Sequence, residues 1–125
     1  MYVCGPTVYD FPHVGNARPA IVFDILFRLL KTIYPNVLYA RNFTDIDDKI
    51  FIAASESKTS FKKITEKFIA AYREDMASLG VLEPTFEPRV TDNIEEIVAL
   101  IKDLINKDFA YFANGHVLFE VSKYA

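Results

Sequence analysis

The side chains best suited to chemistry lie near the start of the chain, in the stretch CGPTVYDFPHVGN at residues 4–16. This stretch contains the only cysteine, one of two histidines and two of four glycines: Cys4, His13, Gly5 and Gly15. The His13 and Asn16 side chains can donate hydrogen bonds to phosphate oxygens. A helix beginning beside them would add unpaired N–H groups and the positive end of its dipole. The stretch therefore predicts an anion site, although it lacks the G-x-G-x-x-G spacing of a dinucleotide loop.

Two strands and a helix must position these residues. Tyr2 and Val3 predict a short strand that ends in the turn at Cys4-Gly5-Pro6. A helix follows, with Asn16 as its N-cap, Pro19 in its first turn and its end near residue 35. Residues 37–43 predict a second strand. Strand, helix and strand in this order predict a βαβ unit with parallel strands and a right-handed crossover.

The predicted helix has one apolar face and one polar face. Its apolar positions recur at helical spacing (Val22, Ile25, Leu26, Leu29, Leu30, Ile33), which marks the face expected to pack. The other face carries the charged residues (Asp24, Arg28, Lys31).

The topology indicates where the candidate residues meet. Ligands of an open α/β sheet bind beyond the carboxyl ends of its strands. Cys4 follows the first strand and Thr44 follows the second. The helix begins at the same edge, so its first residues belong there too. We expect one crevice to gather the five candidates: Cys4, His13, Gly15, Asn16 and Thr44.

The rest of the chain predicts more helices and a hairpin. A short helix is expected over 47–55 and a long one over 61–79, stopped by Gly80. A third long helix follows a linker at 84–88, with Asp92 and Glu95 spaced as a capping box. Asn114-Gly115 predicts a β-hairpin near the end.

Composition limits the classes of protein that fit. A chain of 125 residues with 51% hydrophobic and 25% charged residues is an ordinary globular domain. The net charge of −3 argues against a dedicated nucleic-acid binder, although a larger protein could bind RNA elsewhere. A single cysteine favours a reducing, cytoplasmic setting, and no apolar stretch is long enough for a membrane span. Both ends look abrupt, which indicates a piece of a longer protein.

The residues alone leave simpler explanations open. Cys4 would then be a small buried hydrophobe, and His13 a loop residue bonded to its neighbours. Asn16 and Thr44 would be helix caps. The acidic cluster would complement a helix dipole rather than a metal (Asp45, Asp47, Asp48). Four lysines would form a solvated helix face, or else contact RNA phosphate (Lys58, Lys62, Lys63, Lys67).

Two long motifs resemble the cysteinyl-tRNA synthetase family. MYVCGPTVYD at residues 1–10 and HVGN at 13–16 resemble the start of its catalytic domain. HVGN is similar to the HIGH signature of class I synthetases, with Val14 and Asn16 replacing isoleucine and the last histidine. RNFTDIDDKI at 41–50 resembles a second hallmark of this family. Glu87-Pro88-Arg89 and the hairpin resemble the segment after it, so the resemblance covers essentially the whole chain.

The resemblance implies an α/β fold: a fragment of a Rossmann-type class I synthetase core. This fragment would comprise a nucleotide-binding βαβ unit at 1–50, a helical segment at 51–108, and a hairpin at 109–125 that opens a connective insertion. The implied activity of the full-length protein is ATP-dependent activation of L-cysteine and its transfer to tRNA(Cys). The alternatives are a cysteine ligase of mycothiol biosynthesis and a truncated, non-catalytic paralogue.

The resemblance also implies roles on the nucleotide side of the site. His13 and Asn16 would be catalytic, because they would hold ATP phosphates and stabilise charge at the α-phosphate. Thr7 and Gly15 would complete the ATP site, with Mg²⁺ accompanying the nucleotide.

On the amino-acid side, the resemblance implies that Thr44 and the backbone of Gly5 seat the substrate. Cys4 would be one ligand of a catalytic zinc completed by the substrate's thiolate. Zinc prefers a thiolate to a hydroxyl, which would separate cysteine from serine where shape alone discriminates poorly. The other zinc ligands, the KMSKS loop and the anticodon-binding region map beyond residue 125, so little aminoacylation is expected of residues 1–125 alone.

Overall fold

Two parallel strands with a helix between them open the chain, as the sequence predicted. The computed structural model describes residues 1–124 and divides the chain into two compact units, residues 1–92 and the residues from Asn93 onward. The first unit contains β1 (Tyr2–Val3), α1 (Val14–Ile33), β2 (Ala40–Arg41), α2 (Asp48–Glu56) and α3 (Phe61–Ser78). The α/β class and the βαβ unit are confirmed.

The second unit contains a helix and the predicted hairpin. Its elements are α4 (Ile94–Asn106), β3 (Ala110–Ala113) and β4 (His116–Phe119). Asn114 and Gly115 both have positive φ, at 50° and 80°, as a two-residue hairpin turn of type I′ requires. The predicted capping box at Asp92 and Glu95 is wrong, because residues 91–93 form a single 3₁₀ turn and Asn93 occupies the N-cap.

The first unit is held together by two apolar clusters. The larger one packs the loop after β1, the start of α1 and the segment after β2 against α2 and α3, with Phe43 and Tyr72 edge to face at 5.7 Å. The smaller one joins Val3, Phe27 and Tyr39 on the α1 side of β1 and β2. These contacts fix the carboxyl ends of both strands against the start of α1.

Helix α1 buries a different face from the one its apolar pattern predicted. Its buried residues are Ala17, Ala20, Asp24 and Phe27, whereas Ile25 is 62% exposed. Asp24 tolerates burial because its carboxylate accepts hydrogen bonds from the Leu82 backbone N–H at 3.0 Å and from Arg28 Nε at 2.7 Å. Periodicity locates an apolar stripe, but it does not reveal which surface covers that stripe.

Within residues 1–124, none of the helices combines the length and the apolar character that crossing a membrane requires.

Candidate functional site

His13 lies immediately before helix α1. Its Nδ1 accepts a hydrogen bond from the Gly15 backbone N–H at 3.0 Å, and Asn16 Oδ1 accepts one from the His13 backbone N–H at 3.0 Å. This reciprocal pair is a capping box with His13 at the N-cap and Asn16 at N3. The predicted N-cap at Asn16 is therefore wrong, and Pro19 lies in the second turn rather than the first.

The capping box sets what these side chains can offer a ligand. Because His13 Nδ1 accepts a hydrogen bond, the neutral ring carries its proton on Nε2, which remains a donor. Asn16 uses its oxygen in the cap, so its amide nitrogen keeps its donors. Both residues line a cavity of about 90 Å³ together with Thr7. The arrangement therefore leaves a side-chain donor on each of two residues that line one small cavity beside a helix N-terminus.

Gly15 has a structural reason to be glycine. A Cβ at this position would lie 2.6 Å from His13 Cε1 and 2.9 Å from its Nδ1. The absence of a side chain therefore makes room for the capping imidazole. The expected role of this residue beside ATP stays a prediction.

Cys4 is an exposed thiol at the end of β1. It lines a second cavity, of about 110 Å³, together with Gly5, Gly15 and Asn16. Since it is exposed, its interpretation as a buried hydrophobe is wrong. The expected shared crevice thus holds for Cys4, Gly15 and Asn16, while His13 lies in the neighbouring cavity that also contains Asn16.

Thr44 lies outside the lining of both cavities. Its backbone N–H donates to the Pro6 carbonyl at 3.0 Å and its carbonyl accepts from the Val8 N–H at 3.2 Å. It does not cap α2, because Asp47 does so by accepting from the Lys49 N–H at 2.9 Å. Its backbone therefore ties the loop after β1 to the chain after β2.

The strand pairing contains a bulge at the candidate site. Tyr2 pairs with Ala40 and Val3 with Arg41, a separation of 38 residues, whereas Thr7 pairs with Thr44, a separation of 37. The three residues at 4–6 thus face only the two at 42–43. An extra residue of this kind bends a strand and redirects its side chains.

Sequence reasoning missed Asn42, which spans this bulge. Its Oδ1 accepts from the Gly5 N–H at 2.8 Å and from the Tyr2 hydroxyl at 3.0 Å, and its Nδ2 donates to Thr44 Oγ1 at 3.3 Å. The Gly5 N–H is therefore occupied, and a Cβ at Gly5 would lie 1.6 Å from the Asn42 carbonyl oxygen. The signals in the sequence were an asparagine at the end of a strand and its place in the RNFTDIDDKI motif.

Arg41 was also missed. It is only 4% exposed, it lines the cavity beside Cys4, and its Nε and Nη1 have no acceptor within residues 1–124. Its guanidinium carbon lies 5.3 Å from the centre of the Tyr72 ring and 5.8 Å from that of Tyr39, so aromatic faces stabilise the cation. Burial raises the pKa of both tyrosines above the ordinary value of 10, and the Arg41 charge opposes that rise.

The acidic cluster has structural partners. Asp45 is buried and accepts hydrogen bonds from the Thr91 N–H at 3.0 Å and the Thr91 hydroxyl at 2.5 Å, while Asp47 caps α2. Across the described part of the chain, no three His, Cys, Asp or Glu residues form a metal-binding group. Residues 1–124 therefore do not form a complete zinc site around Cys4.

The four lysines near α3 are exposed, as a solvated face requires. Lys67 also places its Nζ 4.7 Å from the ring centre of Phe68 and 5.0 Å from that of Phe11. Their alternative role as RNA contacts stays a prediction.

Comparison with known proteins identifies the family. Residues 1–125 match the family model of the tRNA synthetases class I (C) catalytic domain. The chain belongs to this family. A cysteine–tRNA ligase of Saccharophagus degradans is 57% identical over 121 residues, which are 97% of this chain and 26% of the relative. One of Parvibaculum lavamentivorans is 55% identical over 125 residues, 100% of this chain and 27% of the relative.

Such similarity extends to more distant relatives. A cysteine–tRNA ligase of Ehrlichia ruminantium is 50% identical over 124 residues, covering 99% of this chain and 27% of the relative. The chain thus spans about a quarter of the length of the curated relatives it matches.

Proposed function

We propose that the protein containing this chain activates L-cysteine with ATP and transfers it to tRNA(Cys). The capping box at the start of α1 carries the proposal, because it leaves His13 Nε2 and the Asn16 amide nitrogen as donors beside a helix N-terminus. The relatives are named cysteine–tRNA ligase, which supports this function over ligation of cysteine to an amino sugar.

At the nucleotide, the proposed contribution of this chain is electrostatic stabilisation of the transition state. In adenylate formation a carboxylate oxygen attacks the α-phosphorus of ATP, and pyrophosphate leaves with the electrons of the broken P–O bond. Donors already fixed in position stabilise the charge that builds on the phosphate oxygens. We assign His13 and Asn16 to this catalytic role, with Thr7 and Gly15 bordering the ATP and Mg²⁺ accompanying it.

The amino-acid side is assigned to the bulge. Thr44 would offer its hydroxyl to the substrate. Gly5 would offer only its carbonyl, because Asn42 already binds its N–H. Cys4 would supply at most one zinc ligand, and residues 1–124 form no group of three potential metal ligands, so no step is assigned to zinc.

The domain assignments follow the same proposal. Residues 1–50 would form the nucleotide-binding unit, 51–108 the helical segment and 109–125 the beginning of the connective insertion. A cytoplasmic setting accords with this function. Residues 1–125 alone would retain part of the ATP site and show little or no aminoacylation.

Cysteine-dependent ATP–pyrophosphate exchange by the complete protein tests the function. We expect exchange with L-cysteine and much less with L-serine, because the part of the site that binds the substrate's thiol should reject the hydroxyl of serine. Exchange that is indifferent to the amino acid, or absent with cysteine, would contradict the proposal.

A further inference from the structure

The carboxamide of Asn42 has one orientation that its partners allow. The Gly5 backbone N–H can only donate, so the atom 2.8 Å away on Asn42 must be the oxygen. The nitrogen then faces Thr44 Oγ1, at 3.3 Å. The Tyr2 hydroxyl, 3.0 Å from the same oxygen, donates as well. Asn42 thus uses its oxygen on the β1 side of the bulge and its nitrogen on Thr44.

This orientation excludes one direction for the Thr44 hydroxyl proton. Thr44 Oγ1 accepts from Asn42, so its own O–H does not point back at that amide. The hydroxyl makes no other hydrogen bond to residues 1–124. Its proton and its remaining lone pair are therefore not used by any group within these residues.

We infer that Asn42 is a positioning residue of the amino-acid site, which holds the Thr44 hydroxyl as a donor toward the substrate while it fixes the Gly5 peptide. This inference rests on the proposed function. Backbone pairing between the two strands cannot fix the Gly5 peptide, because that pairing is interrupted by the bulge between Val3 and Thr7. The side chain of Asn42 bridges that interruption.

The variant Asn42→Asp tests this role with little change of shape. One carboxylate oxygen still accepts from the Gly5 N–H, so the bulge is retained. The other oxygen can only accept, and it therefore draws the Thr44 hydroxyl proton toward itself and away from the substrate. We expect the KM for cysteine in ATP–pyrophosphate exchange by the complete protein to rise about tenfold, while the KM for ATP stays within about twofold.

A double-mutant cycle with Thr44→Val separates orientation from added charge. Without the hydroxyl there is nothing to orient, so Asn42→Asp should change the cysteine KM little in the Thr44→Val background. The control Asn36→Asp adds the same charge in an exposed position after α1 and should leave both KM values near wild type.

Three results would overturn the inference. These are an unchanged cysteine KM in Asn42→Asp, an equal rise in the KM for ATP, and a penalty of the same size with and without the Thr44 hydroxyl. Wild-type protein that shows no cysteine-dependent exchange would instead defeat the proposed function, and the inference with it.

Discussion

At the scale of single residues, the site depends on two places where a side chain replaces a backbone interaction. His13 caps α1 with its imidazole, and Asn42 spans the bulge between β1 and β2. The sequence predicted a role for the first, because a histidine before a helix is a familiar donor. It gave no reason to select the second, because the bonds of Asn42 join residues 37 and 40 positions apart.

Gly5→Ala should be strongly destabilising. A Cβ there would lie 1.6 Å from the backbone carbonyl oxygen of Asn42. Moving this backbone aside would cost free energy, because the flanking residues are hydrogen-bonded to other segments. We expect a loss of about 3 kcal/mol in the free energy of unfolding, measured by denaturant titration of the complete protein.

Gly15→Ala is the matched comparison for Gly5→Ala. Its Cβ would meet only the tip of the His13 ring, which can rotate at the expense of the cap, so a smaller loss of about 1 kcal/mol is expected. Equal stability of Gly5→Ala and wild type would refute the tight approach of the two strands.

At the scale of elements, the extent of α3 follows from local sequence signals, whereas the strand expected over 37–43 is reduced to Ala40–Arg41 and the buried face of α1 was not predicted. Helix α3 was expected over 61–79 and spans Phe61–Ser78, with Gly80 at φ +72° after it. The buried face of α1 was mispredicted, because helix burial depends on what the fold lays against it. Apolar residues cover much of the exposed face of α1: Ile21, Val22, Ile25, Leu26, Leu29 and Ile33.

That apolar face predicts self-association of residues 1–125 when they are produced alone, since monomers seldom leave so large an apolar stripe exposed. Sedimentation should show oligomers that Ile25→Lys with Leu29→Lys returns to monomer. The control pair Ala70→Lys with Ala77→Lys adds the same charge to exposed positions of α3 and should leave association intact. A wild-type chain that sediments as a monomer would contradict this expectation.

At the scale of the whole molecule, this chain carries only part of what the proposed reaction needs. It spans about a quarter of its relatives and supplies a helix N-terminus, an exposed thiol and the bulge, but no complete metal-binding group within residues 1–124. The βαβ unit and the hairpin could be predicted, because they arise from local spacing and turn chemistry. The bulge and the partners of Arg41 could not, because they depend on long-range register.

The proposed function requires the capped start of α1 to be the ATP site of a cysteine-activating enzyme. The most direct measurement is the rate of cysteine-dependent ATP–pyrophosphate exchange by the complete protein carrying His13→Ala, with His116→Ala in the exposed hairpin as the control. We expect His13→Ala to lower kcat by about 100-fold, as the loss of an oxyanion-type donor does, with His116→Ala near wild type. A His13→Ala protein that exchanges pyrophosphate at the wild-type rate would contradict it.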